Sequence, residues 1–106
     1  MRIREDIETG WPSGTNVHQR ISAYVREGRA RSFKVGITNN PYARAANYGD
    51  QYDEMIVVYQ TTSDKNLREL ETLLTDYYAG HSDNQNDGGA GPRGQGPYFL
   101  YVVVRR

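Results

Sequence analysis

The sequence predicts an α+β domain in which a small three-stranded antiparallel sheet is flanked by helices. Three observations lead there. SFKVGIT, MIVVYQT and YFLYVVV are short, β-prone apolar runs bounded by turn residues. PYARAANY and SDKNLRELETLLTDYYAG, which separate them, carry helical spacing instead. A length of 106 residues sets the scale at one domain with one modest core.

Taken in order, residues 1–15 carry little pattern, and Arg2 to Ile7 read either as a short strand or as a charged arm. Trp11-Pro12-Ser13-Gly14 reads as a turn. Thr15 or Asn16 then caps a helix whose stripe is Val17, Ile21, Tyr24 and Val25, with Gly28 as its stop. SFKVGIT is the first core strand. Asn40-Pro41 starts a short helix, because Asn accepts a bond from the free first-turn amides and Pro has none to leave unpaired. That helix runs to Gly49. MIVVYQT is almost continuously apolar, which marks a central strand covered on both faces. Ser63 or Asp64 caps the long helix, Leu67, Leu70, Leu74 and Tyr77 form its stripe, and Gly80 stops it. A glycine-rich loop over residues 81–97 leads to the last strand. The chain reads as a single domain, 1–106, with an N-terminal arm and helix over 1–31 and a core over 32–104.

Composition restricts the function classes. No cysteine is present, so a disulfide scaffold, a thiolate metal site and a cysteine nucleophile are excluded. Thirteen Lys and Arg balance thirteen Asp and Glu, so no broad positive field surrounds the molecule, although a local basic site is allowed. No apolar run reaches membrane-spanning length and the first residues carry no signal-peptide pattern. An intracellular, cytoplasmic protein is the expectation. Two motif matches in the loop fail on context. Gly89, Gly91 and Gly94 match a dinucleotide fingerprint by letter but follow a helix and precede a strand. DNQNDG at 83–88 lacks the ligands that a calcium loop needs at its third and twelfth positions. His18 and His81 have no third partner at metal spacing.

Four features fall in a telling order. Lys34-Val35-Gly36 ends a strand run, Arg44 follows the glycine by eight residues, Glu71 lies in the long helix, and Asn84 comes thirteen residues after it. The runs KVGITNNPYAR and Leu70-Glu71-Thr72-Leu73-Leu74, with Asn84, resemble the GIY-YIG nuclease superfamily over residues 32 to about 86. That family's Gly-Ile-Tyr strand is absent ahead of residue 32, and Lys34 stands where the tyrosine of Tyr-Ile-Gly would be. The resemblance therefore implies a permuted sheet. The last strand would lie beside SFKVGIT, with Tyr98 or Tyr101 in the missing tyrosine's place. Tyr98 is the first choice because it follows Gly96-Pro97.

The resemblance implies a metal-dependent endonuclease that hydrolyses phosphodiester bonds. Glu71 would hold one Mg²⁺ or Mn²⁺. A lone carboxylate suffices for such an ion, which takes its other ligands from water and substrate. Glu71 borders the apolar stripe, whereas Glu69, about 200° around the helix, points to water. Its bland alternative is a salt bridge with Arg68. Arg44 would fork the scissile phosphate. Tyr48, one turn on, would share its face and either bind phosphate or pack. Lys34 beside a tyrosine hydroxyl would favour a phenolate able to act as general base. Gly36, Tyr48, Asn84 and Arg93 complete the expected substrate contacts. Arg20, Arg26, Arg29, Arg31 and Lys34, with Arg93 and the C-terminal arginines, make a candidate nucleic-acid track. The expected partner is a nucleic acid, DNA before RNA, with specificity from the loop, the N-terminal helix, a homodimer or a protein partner. The alternative is a catalytically inactive module of the same fold that binds nucleic acid or protein. A third reading is an unrelated interaction protein.

Overall fold

The computed structural model describes residues 1–10, 17–27, 30–63, 65–66, 68–69, 72 and 97–106, without the side chains of residues 18 and 27. Its elements are β1 (Arg2–Glu8), α1 (Val17–Glu27), β2 (Ser32–Thr38), α2 (Pro41–Tyr48), β3 (Glu54–Thr61) and β4 (Tyr98–Arg105). They build one four-stranded sheet in the order β1-β3-β4-β2.

This corrects the three-stranded antiparallel expectation. β2 and β3 are both antiparallel to β4, but β1 joins as a fourth strand, parallel to β3, so the sheet is mixed. The physical reason lies in how β1 is held. Its sequence RIREDIE has too few apolar residues to announce a core strand, and of these only Ile3 packs against the core. Charge supplies the rest. Arg4 Nη2 lies 3.2 Å from Glu54 Oε2, Asp6 accepts a hydrogen bond from Tyr24, and Arg20 reaches both Asp6 at 2.8 Å and Glu8 at 3.3 Å. An edge strand rich in charge is also poorly suited to pairing with a further chain. Residues 1–31 thus give a strand and a helix to the same core.

Among the described residues, α1 packs on one face of the sheet and α2 on the other. Alternation along the strands sends Phe33, Val35 and Ile37 toward α1, where Val17 and Ile21 are fully buried and Tyr24 and Val25 pack alongside. The opposite face receives Met55, Val57, Tyr101 and Val103, covered by Ala45 and Tyr48 of α2 and by Tyr52. β3 is buried from Glu54 through Tyr59, as expected of a covered central strand. Val58 is an extra residue in its ladder with β4, since Val57 pairs with Tyr101 and Tyr59 with Leu100. The bulge turns both Val58 and Tyr59 into the α1-side core. The Tyr59 hydroxyl then donates to the Gly10 carbonyl just past β1.

The α2 signals and the Ser63 cap act as read, while Thr15, Asn16, Gly28, Asp64 and Gly80 lie outside the described residues. Asn40 Oδ1 accepts from the Ala43 amide at 3.1 Å, Pro41 opens α2, and Gly49 closes it at φ +59° with its amide on the Ala45 and Ala46 carbonyls. Ser63 Oγ accepts from the Asn66 amide at 3.2 Å, and residues 65, 66, 68, 69 and 72 are helical. Among the described residues, no helix is long and apolar enough to cross a membrane.

Glu54 is the one fully buried carboxylate among the described residues, at 1% exposure. Arg106 donates to it at 2.7 Å, and Arg4 and Arg2 approach at 3.2 and 3.9 Å. Removing it takes the buried partner from Arg106 and Arg4 and leaves a cavity, so Glu54→Ala should lower unfolding free energy by about 2 kcal/mol in urea titration. Asp6 supplies a pH test. The hydrogen bond from Tyr24, then that from Arg20, holds its carboxyl below the usual range. Its contribution is therefore present above the unfolded value and is lost as pH falls through the lower folded value. Between about pH 5 and pH 2, Asp6→Asn should lose less stability than the unaltered chain in parallel denaturation curves.

Candidate functional site

The α2 face of the sheet brings together four residues singled out in the sequence. β2 and β4 pair so that Gly36 stands opposite Tyr101 and Lys34 opposite Val103. Cross-strand partners share a face, so Lys34, Gly36 and Tyr101 all point toward α2. Tyr101 lies flat across Gly36. A Cβ there would meet the ring Cζ at 2.5 Å, so only glycine admits the tyrosine at this spot.

Tyr48, the last residue of α2, completes the arrangement. Its hydroxyl is 2.6 Å from that of Tyr101, and the two rings meet edge-on with centroids 6.1 Å apart. Tyr52 presses on the other side of Tyr48, edge-on at 5.3 Å. The Lys34 ammonium sits 5.9 Å above the Tyr48 ring, within reach of its negative face. Tyr101 is buried while Tyr48 and Lys34 are half-buried, so the hydroxyl pair lies where the core meets solvent. Arg44, half-buried, stands one turn before Tyr48 on the same helix face.

The electrostatics of the two faces differ. On the α1 side Arg4 and Arg20 are paired with carboxylates. Among the described residues no carboxylate pairs with Lys34 or Arg44. A cation beside two linked hydroxyls, with a second cation one turn away on α2, can hold an anion, and the linked hydroxyls can pass a proton.

Other expected site residues fall elsewhere. Tyr98, the first choice for the missing tyrosine, is 8% exposed and packs in the α1-side core, on the sheet face opposite Tyr101. The three-residue offset between them turns their side chains to opposite faces. Arg20 is turned inward to Asp6, Glu8 and the Val58 carbonyl, and so leaves the candidate track. Arg26 is exposed on α1 and donates to the Ser22 carbonyl. Glu71, Asn84, Arg93, Arg29 and His81 lie outside the described residues, as does the side chain of His18. Among the described residues no group of three His, Asp or Glu is placed to hold a metal.

A cleft of about 500 Å³ opens where β1 and β3 end, lined by Thr9, Gly10, Gln60, Thr61, Thr62, Ser63 and Asn66. Among the described residues that line it, none is titratable. Sequence reasoning named Tyr48 and Tyr101 separately and missed their pairing. The available signal was Gly36 itself. A glycine inside an apolar strand marks close approach by a neighbour, and here that neighbour is the cross-strand tyrosine.

No family model, no curated protein and no solved structure matches the chain.

The fit of Tyr101 over Gly36 leads to a direct test. Gly36→Ala should cost about 1–3 kcal/mol by overpacking, read as a lower midpoint in thermal or urea unfolding. Gly49→Ala, with nothing within 4 Å of its Cβ but a positive φ, should cost less.

Proposed function

We propose that this chain hydrolyses phosphodiester bonds of a nucleic acid at the Lys34–Tyr48–Tyr101 cluster, with Arg44 on the phosphate. The single observation that carries the reading is the pair of tyrosine hydroxyls, 2.6 Å apart over Gly36 and beside Lys34. Support also comes from the neighbour of β2. The permuted arrangement expected from the sequence needs the last strand beside SFKVGIT, and β4 pairs there with Tyr101 opposite Gly36.

In this reading Arg44 and Lys34 neutralise charge on the phosphate. The attacking water gives its proton to Tyr101 as Tyr101 passes its own to Tyr48, and Tyr48, half-buried at the solvent margin, releases its own to solvent. The water oxygen bonds to phosphorus, the bond to the leaving oxygen breaks, and that oxygen takes a proton from solvent. The metal expected from the sequence, Mg²⁺ or Mn²⁺, rests on Glu71 alone. The described residues do not form its donor set, and no step here runs through it. The second reading, an inactive module that binds nucleic acid, draws on the uncompensated cations, which require only an anion and no chemistry.

A cleavage assay decides between the two. Single- and double-stranded DNA and RNA are incubated with Mg²⁺, Mn²⁺ or EDTA, with Tyr101→Phe, Arg44→Ala and Glu71→Ala alongside. Tyr101→Phe keeps the ring over Gly36, so it should stay folded while losing about 10²–10⁴ in rate. Cutting that persists in Tyr101→Phe and Arg44→Ala would overturn the assignment. Binding by folded protein without cutting, on every substrate and with every metal, would favour the second reading.

A further inference from the structure

Positive charge is gathered on one margin of the molecule in a chain whose net charge is zero. On the α2 face, Lys34 and Arg105 are diagonal neighbours across the β2–β4 ladder, since Lys34 pairs with Val103 and Arg105 with Ser32. Diagonal neighbours stand about 7–8 Å apart. Arg105 lies four residues beyond Tyr101 on β4, about 13 Å along the strand and on the same face. Past Arg105 the sheet ends. Here the Arg31 amide bonds to the Arg105 carbonyl at 2.6 Å, and the Arg106 amide bonds to Asp53 Oδ2 at 2.7 Å. Arg2, 78% exposed, stands at this same end, its amide on the Asp53 carbonyl.

Among the described residues, the acids at this end are already engaged. Asp53 and Glu54 are both engaged by Arg106, and Arg2 and Arg4 share Glu54. Arg31 and Arg105 are exposed, and among the described residues no carboxylate pairs with either. Asp50 on the turn after α2 still leaves positive charge in excess. On the α2 face of β1, Glu5 is bonded by Tyr42 at 2.8 Å. With β3 and β4 between β1 and β2, it stands in line with Gly36 and about 16 Å from Lys34 across the sheet.

We propose that Lys34, Arg105 and Arg31 form a cationic strip that leads away from the tyrosine pair and carries successive phosphates of a nucleic-acid strand. The inference rests on the reading of the cluster as a phosphodiester site and names how its substrate lies. The strand crosses Arg44 and Tyr48, follows β4 toward its C-terminal end, and leaves the molecule between Arg31 and Arg106. Several cations spread along one margin suit a polymer of phosphates. A single small anion would use only the Lys34–Arg44 end.

The test is fluorescence anisotropy with labelled single- and double-stranded DNA in EDTA, over a range of salt. Arg31→Glu and Arg105→Glu, singly and together, are compared with Lys65→Glu, a reversal of equal charge beyond the far end of β3. All three positions are exposed, and circular dichroism checks folding. Each strip variant should weaken binding and lower the slope of log affinity against log salt by about one, while Lys65→Glu leaves both unchanged. Equal loss in Lys65→Glu, unchanged affinity in the Arg31→Glu/Arg105→Glu double variant, or binding to anionic vesicles but not to oligonucleotide would overturn the strip. Strip-dependent binding without cleavage would leave the strip standing and remove the hydrolase reading. Cleavage that ignores the strip variants would do the reverse.

Discussion

β4 is the strand on which the other parts of the structure depend. It is hydrogen-bonded to β2 on one side and to β3 on the other, so its residues set the register of both neighbours at once. That register sends Leu100, Val102 and Val104 into the core beneath α1, and Tyr101 and Val103 toward α2. A slip of one residue would exchange the two sets and lay a valine or leucine over Gly36. The candidate site therefore exists only in one pairing of β2 with β4, and the glycine and the tyrosine select that pairing together.

The two faces use their polar residues differently. Toward α1, arginines, carboxylates and Tyr24 close on one another, and their effect is to hold a charge-rich edge strand and a helix in place. Burial, followed by the bond to Asp6, pushes the Tyr24 phenol up, so the pair persists with the phenol neutral and the carboxylate charged. Toward α2, Tyr42 closes on Glu5 at the β1 edge, while at the β2–β4 pair the described polar residues are two linked hydroxyls and the Lys34 cation. A face built for stability satisfies its own charges, while a face that meets an anion leaves cations over. Neutral overall composition hides this division, because it averages the two faces.

Much of the architecture was legible in the residues. Local chemistry carried the α2 caps, since Asn40, Pro41 and Gly49 act within a few residues of themselves. Periodicity carried α1 and the three apolar strands. β1 was harder to read, because what holds it is distant in sequence: Arg4 finds Glu54 and Asp6 finds Tyr24. The same limit governed the site. Alternation alone shows that Tyr98 and Tyr101 face opposite ways, but which of them meets Gly36 depends on register with a strand some sixty residues earlier. Glu71 and Asn84 were legible by spacing only, and they lie outside the described residues.

The place of β4 in the chain also bears on how the protein comes to be folded. In the described sheet β2 has no strand neighbour except β4, yet more than half the chain separates them. During synthesis the backbone of β2 stays unpaired until β4 has left the ribosome. Long-range pairing of this kind is slow, and an unpaired apolar edge is the surface that associates wrongly. Production of this protein should therefore be sensitive to the pace of translation and to chaperones that shield the SFKVGIT segment in the interval.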